Sequence, residues 1–396
     1  MENIFTYLRW RGDLSFAQSP FCEVDALVLA RLSYIPFEGF VKGDFAHTTP
    51  LGEMAADFLR QPDADKRVLM QNDITLLRMI AENRRFRDVR LCGYRNLRDA
   101  GQEMQFSAVT FRFVEPDAPA VCVAYRGTDN TLIGWKEDFN MSFMEAVPAQ
   151  CRAVAYLREA AEQTEGEMLL CGHSKGGNLA VYAAAFCGQG LQARIGSVYN
   201  FDGPGFGEKV IGQAGYQAIC GRVRTFVPQS SVIGMLLEHE EQYTIIHSTQ
   251  TGLYQHDIYS WEMERASFRR LATATNSSRM VDRSLKDWIA SMTPEEREKF
   301  FDALFSILHD TNAATLRELS ENWYKNALIM ARSLKNMDEA SRKLMAEVLR
   351  LLLRAARNNV SILLPRRPRR EDASAELFPA EQTPALKGGA QANKEE

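Results

Sequence analysis

The chain has 396 residues, 45% of them hydrophobic and 25% charged, which is the balance of a soluble globular protein with room for a large core and a second, smaller unit. A net charge of −4 at pH 7 gives no support for nucleic acid or an anionic membrane as the main partner. The start Met1-Glu2-Asn3-Ile4-Phe5-Thr6 has no basic segment followed by an apolar stretch, and no apolar run reaches the length of a membrane span, so a cytoplasmic protein is expected.

Residues 1–83 mix loops with helical periodicity, as at Val24, Leu27, Val28 and Leu32, and close on a helix predicted over Asp73–Asn83. From 84 to 265, apolar runs alternate with helical stretches, which predicts an α/β sheet. Its strands are expected at Val89–Tyr94, Gln105–Val114, Ala120–Tyr125, Glu167–Cys171, Ile195–Phe201, Arg222–Val227 and Tyr243–His247. Together, 1–275 read as one α/β domain, 276–362 as a helical segment and 363–396 as a disordered tail poor in large apolar residues. In the helical segment Thr293-Pro294-Glu295-Glu296 supplies a cap, a proline at the first helical position and the glutamate of a capping box. Helices are expected around Glu295–His309, Thr315–Leu334 and Asp338–Asn358. The basic run Arg366–Arg370 reads as a solvated charge cluster rather than a lipid or nucleic-acid site.

The seven cysteines (Cys22, Cys92, Cys122, Cys151, Cys171, Cys187, Cys220) form no C-x-x-C pair, and reduced thiols are expected. The sequence contains no metal-ligand spacing, phosphate loop or dinucleotide fingerprint, so neither metal nor cofactor is expected.

Chemistry concentrates at Gly172-His173-Ser174-Lys175-Gly176. Met168–Cys171 reads as the end of a buried strand, and Asn178 to Phe186 as a packed helix. Strand, G-x-S-x-G and helix in that order is the setting of a nucleophile elbow. The turn is so sharp that only small residues fit at its ends, and it pushes the Ser174 hydroxyl clear of the sheet at the positive end of a helix. An ordinary glycine turn with a solvent-facing serine is the competing reading. His173 is expected to point away from the partner of that hydroxyl.

Upstream, Val123-Ala124-Tyr125-Arg126-Gly127-Thr128-Asp129 is followed by Trp135 and Asp138. A strand ending in Arg-Gly-Thr with Trp-x-x-Asp behind it resembles the class 3 lipases of the α/β-hydrolase fold. The resemblance implies a mostly parallel sheet flanked by helices, and an oxyanion hole built from Thr128 and the backbone N–H of Lys175, supported by Arg126 and Asp138. Downstream, Gly252-Leu253-Tyr254-Gln255-His256-Asp257 follows the last expected strand, where this fold carries its catalytic histidine. Of the six histidines, His256 is the best placed; His47 precedes the sheet, His309 belongs to the helical segment, and His239 and His247 lie in or beside expected elements.

The acid breaks the pattern. Class 3 lipases carry an aspartate after the next-to-last strand, and here that segment reads Val227-Pro228-Gln229-Ser230-Ser231-Val232-Ile233-Gly234, with Ser231 at the aspartate's place. A serine can orient an imidazole but cannot balance its charge. Asp202, in Asn200-Phe201-Asp202-Gly203, ends the strand after the elbow helix and is the leading candidate; Ser231 and Glu238 remain alternatives, and an Asp-Gly turn is the plain structural reading of Asp202.

Gly172–Asn178, Phe201–Phe206, the segment from Pro228 to Met235 and Gln255-His256 together are similar to the Mbeg-like family of bacterial lipase-like domains, over most of residues 20–265. Lys175 departs from the class 3 lipases, which usually have leucine there. A cation is mildly unfavourable at a helix N-terminus, so a structural carboxylate partner is expected before an anionic substrate group. The assembled residues lead to the expectation of a serine hydrolase that cleaves an ester or related acyl bond of a small-molecule acyl or lipid-like substrate, while the Mbeg-like resemblance says little about that substrate. No nucleic acid and at most peripheral membrane contact are expected. The competing expectation is a non-catalytic binding or scaffolding protein that kept the pocket.

Overall fold

The computed structural model describes residues 2–115, 120–129, 131–141, 144–231, 233–234, 237, 239–272, 293–311, 323–334, 339 and 342. Eight strands cross one sheet in the order of the sequence: β1 (Thr49–Pro50), β2 (Arg90–Asp99), β3 (Met104–Arg112), β4 (Val121–Tyr125), β5 (Met168–His173), β6 (Ile195–Phe201), β7 (Val223–Pro228) and β8 (Tyr243–Ile246). The pairs from β1 to β4 are antiparallel and those from β4 to β8 parallel. All seven expected strands are present. β2 runs beyond its expected end at Tyr94, because pairing with β3 resumes at Arg95↔Ala108 past an irregularity after Cys92. The two-residue β1 is too short to leave a hydropathy pattern.

Sequential order in the parallel half dictates the layering. Each crossover must be right-handed, and crossovers that all step the same way put their helices on the same face. The helices Pro148–Glu162, Lys175–Phe186 and Ala214–Cys220 therefore share one core with Val121, Val123, Leu170, Val198 and Val223. Alternate strand residues point to the other face, where Cys122, Ala124, Leu169, Cys171 and Phe201 are buried. No crossover reaches that face. The N-terminal helices Glu23–Leu32, Leu51–Leu59 and Asn72–Glu82 cover it instead, which is why the first part of the chain is apolar and helical.

The cover is locked by buried ion pairs, Arg31–Asp73 and Arg85–Asp25, each at 2.6 Å. Tyr259 Oη donates to Asp73 Oδ1 at 2.7 Å, which joins the cover to the segment after His256. A mostly parallel sheet with helices on both faces and a strand–serine–helix turn at its centre is the α/β-hydrolase fold.

Beyond it, the helix Pro294–His309 starts in the expected capping box: Glu296 N–H donates to Thr293 Oγ1 at 3.2 Å, and Thr293 N–H to Glu296 Oε2 at 2.8 Å. With the helix Trp323–Leu334 it builds a separate cluster of Phe301, Leu304, Phe305, Ile307, Leu308 and Met330, which takes in Leu132 of the main domain. The expected helix starting at Thr315 is described from Trp323. All but two residues of the one expected over Asp338–Asn358, and the expected tail, lie outside the described residues. Among the described residues no helix is long and apolar enough to cross a membrane. Cys92, Cys122, Cys171 and Cys187 are buried, and all seven cysteines are free thiols.

Candidate active site

Ser174 sits between β5 and the helix Lys175–Phe186 with φ 59° and ψ −135°. A non-glycine residue there costs on the order of 1–3 kcal/mol, so the surroundings must enforce it. They do so by contact. A Cβ on Gly172 would run into the backbone of Gly176 and Gly177, and one on Gly176 into the backbone of Tyr125, Arg126 and Gly127. Strand, turn and helix thus touch backbone to backbone, and Ser174 N–H donates to Phe201 O on β6 at 2.9 Å.

β6 ends at Phe201, and the next residue, Asp202, also holds a positive φ, 52°. That turns its carboxylate toward the loop after β8. His256 Nδ1–H donates to Asp202 Oδ2 at 2.6 Å, with Asp202 1% and His256 26% exposed. This hydrogen bond fixes the tautomer and leaves His256 Nε2 as an acceptor. Among the described residues no hydrogen bond joins Ser174 Oγ to His256, whose Nδ1 is bonded to Asp202.

The second Asp202 oxygen, Oδ1, accepts the Ser231 hydroxyl, which in turn accepts Gly234 N–H at 2.9 Å. Ser231 and Asp202 come from the loops after β7 and β6, neighbouring parallel strands, and meet at their C-terminal ends. Ser231 therefore holds the Asp202 carboxylate in place. Behind it His239 Nε2–H donates to Gly234 O at 2.7 Å, and His239 Nδ1 faces Glu241 Oε1 at 2.9 Å. Glu238 lies outside the described residues.

The expectation for His173 needs correction. Its ring does not point away from His256: the two ring centroids are 4.4 Å apart, and His173 Nε2–H donates to the His256 carbonyl at 2.9 Å. Burial, with the nearby His256 adding to it, pushes the His173 pKa well below its ordinary value, so the ring is neutral. Its Nδ1 is then an acceptor, 3.3 Å from Tyr34 Oη. The residue before Ser174 thus pins the loop that carries His256. Tyr34, on the N-terminal cover, had no sequence signal.

The Arg-Gly-Thr loop lies against the elbow, since a Cβ on Gly127 would sit 3.1 Å from Ser174 Cβ. Arg126 and Arg98 both pair with Asp129, at 3.4 and 2.7 Å, and this fixes the loop's shape. Thr128 Oγ1–H donates to Asp138 Oδ2 at 2.5 Å. Burial lifts the Asp138 carboxyl to about 6, against the pull of Lys175 and the Thr128 hydroxyl. The Thr128 hydroxyl is engaged there by Asp138.

Lys175 has the structural partner expected of it. Its side chain is 1% exposed, and Nζ donates to Glu137 Oε2 at 2.9 Å and to Gln105 O and Oε1 at 3.1 Å each. Glu137 also accepts Gln105 N–H and Ala149 N–H, at 3.0 and 2.8 Å. The sequence reading stopped at Asp138 and missed Glu137 beside it. No group of residues fit to hold a metal ion occurs among the described residues.

Among solved structures, the crystal structure of M37 lipase is similar at 14% identity, covering 68% of this chain and 80% of that one with a TM-score of 0.35. No functionally curated protein matches the chain. The model of the Mbeg1-like family matches residues 80–306, more than half of the chain and a span that takes in Ser174, Asp202 and His256, and the chain belongs to the Mbeg1-like family.

Proposed function

We propose that this protein is a serine hydrolase that cleaves an ester or related acyl bond through an acyl-serine intermediate. The observation that carries the reading is the 2.6 Å hydrogen bond between His256 Nδ1 and buried Asp202, formed beside a serine held at φ 59°. Ser174 Oγ attacks the carbonyl carbon while His256 Nε2 takes its proton, and Asp202 orients the ring and balances its charge. The N–H groups of Thr128 and Lys175 bind the oxyanion. The tetrahedral intermediate collapses as the leaving alcohol departs with the proton from His256. Water, deprotonated by the same histidine, then releases the acid and restores Ser174.

The alternative, a lipase-like scaffold without turnover, draws on Ser231 standing where an aspartate was expected and on the large helical addition; Asp202 beside His256 speaks against the first of these. The test is a p-nitrophenyl acetate and butyrate time course with intact-mass analysis. A burst of nitrophenol with a matching acyl mass on the protein, absent in Ser174→Ala, is expected. Equal release by wild type and Ser174→Ala would overturn the reading.

A further inference from the structure

The helix Leu132–Asn140 stands between the oxyanion groups and the C-terminal helices, and three consecutive residues on it face three ways. Glu137 is buried and binds Lys175, the residue after the nucleophile, while Asp138 binds Thr128 across the loop. Lys136 points outward, to Glu103 and, at 3.0 Å, to Asp302 of the helix Pro294–His309. One short helix therefore holds both residues proposed to bind the oxyanion, and a shift of it moves the two together.

Glu137 and the Thr131 cap hold one side of that helix, and what covers its other side decides how firmly it stays in place. It has nine residues, too few to be stable alone. Its Leu132, Trp135 and Phe139, spaced three and four apart, form one apolar stripe. That stripe is covered by Phe301, Leu304, Phe305 and Leu308. Phe139 stacks on Phe301 with centroids 4.5 Å apart and tilts against Phe305 at 6.0 Å. Leu304 is fully buried although it lies outside the main core.

We propose that the C-terminal helix Pro294–His309 is a positioning element for the oxyanion hole: it fixes the helix Leu132–Asn140 where Glu137 grips Lys175 and Asp138 grips Thr128. The appended helical unit then belongs to the catalytic apparatus of the same site, and this inference rests on the hydrolase reading for its chemical consequence. Phe301, Leu304 and Phe305 act through the helix they cover and touch no substrate. A partner or ligand that lifted the C-terminal helix would disable the oxyanion hole without touching Ser174, His256 or Asp202.

The experiment uses the full chain with Leu304→Ala, Phe301→Ala and the conservative Phe301→Leu, and reads two quantities. The first is hydrogen exchange at the amides of Arg126, Thr131, Gly134 and Trp135. Tenfold or more faster exchange in the two alanine variants is expected, with β5 and the elbow helix protected as in wild type and Phe301→Leu close to wild type. The second is fluorophosphonate labelling of Ser174 at saturating and limiting probe. A roughly tenfold lower maximal labelling rate with half-saturation within twofold of wild type is expected, because probe binding is kept and oxyanion stabilisation is lost. Unchanged exchange in the oxyanion loop would overturn the proposal, and so would a rise spread evenly over the sheet, which marks general destabilisation. If wild type itself takes no label, the hydrolase reading fails and exchange alone decides.

Discussion

Ser231 donates its hydroxyl to Asp202 Oδ1, the carboxylate oxygen that His256 leaves free. On the proposed reading, the position where a class 3 lipase carries its acid supports a carboxylate on the loop after β6, one strand over from the loop after β7. Asp202→Asn should keep the fold and cut esterase turnover by roughly three to four orders of magnitude, since the imidazole loses both orientation and charge balance. Ser231→Ala should cost about tenfold, because Oδ2 keeps its bond to His256. Ser231→Asp should gain nothing, as a second carboxylate against Asp202 repels it. Turnover that rises in Ser231→Asp and survives in Asp202→Asn would return the acid to position 231.

The two histidines nearest the end of the sheet should separate sharply. His256→Ala removes the proton acceptor and should lower ester hydrolysis by roughly a hundredfold or more. His247 pairs with Glu262 at 2.9 Å, and its side chain is 33% exposed, so His247→Ala should change turnover by less than about threefold. Steady-state rates on one ester decide this; a larger loss in His247→Ala contradicts the assignment.

His173 gives folding stability a pH dependence of known sign. Its folded pKa lies well below the ordinary value because of burial, with nearby His256 adding to it, while the unfolded chain titrates near 6.5. Above that pH both states are neutral and the contribution is complete. As pH falls below about 6.5 the unfolded chain takes up a proton that the folded ring refuses, and stability drops by up to about 1.4 kcal/mol per pH unit. Urea unfolding of wild type and His173→Gln at pH 7.5 and 5.5 measures this. The stability advantage of wild type should shrink at the lower pH, and an equal advantage at both would contradict it.

Lys175→Met should destabilise the fold by about 3–5 kcal/mol, because Glu137 keeps its charge in a buried site with only backbone N–H donors left. Adding Glu137→Gln should recover part of that loss, since the stranded charge is gone. A loss under about 1 kcal/mol for Lys175→Met in urea unfolding would mean that the pair is dispensable.

The strands were legible because buried strands leave runs of Val, Leu, Tyr and Phe, and the elbow was legible because its close backbone contacts admit only glycine. Asp202 and His256 could be nominated from their places after strands where the fold implied by the resemblance carries an acid and a histidine. The hydrogen bonds around them could not. Ser231 to Asp202, Lys175 to Glu137 and His173 to His256 join residues 29, 38 and 83 positions apart, and pairings at that range have no local signature. The misjudged His173 shows the same limit: its place inside the elbow did not show that the loop after β8 folds back onto it. The C-terminal helices read as chemically silent, since an apolar stripe does not say which helix it will cover.

Labelling with a fluorophosphonate probe, read by peptide mass spectrometry, tests the nucleophile most directly, because it requires an activated serine and no knowledge of the substrate. Ser174 should be the one serine modified, and Ser174→Ala and His256→Ala should both lose the label, the first for want of the nucleophile and the second for want of its base. Label of equal intensity in wild type and Ser174→Ala, or none in wild type, would contradict a catalytic Ser174.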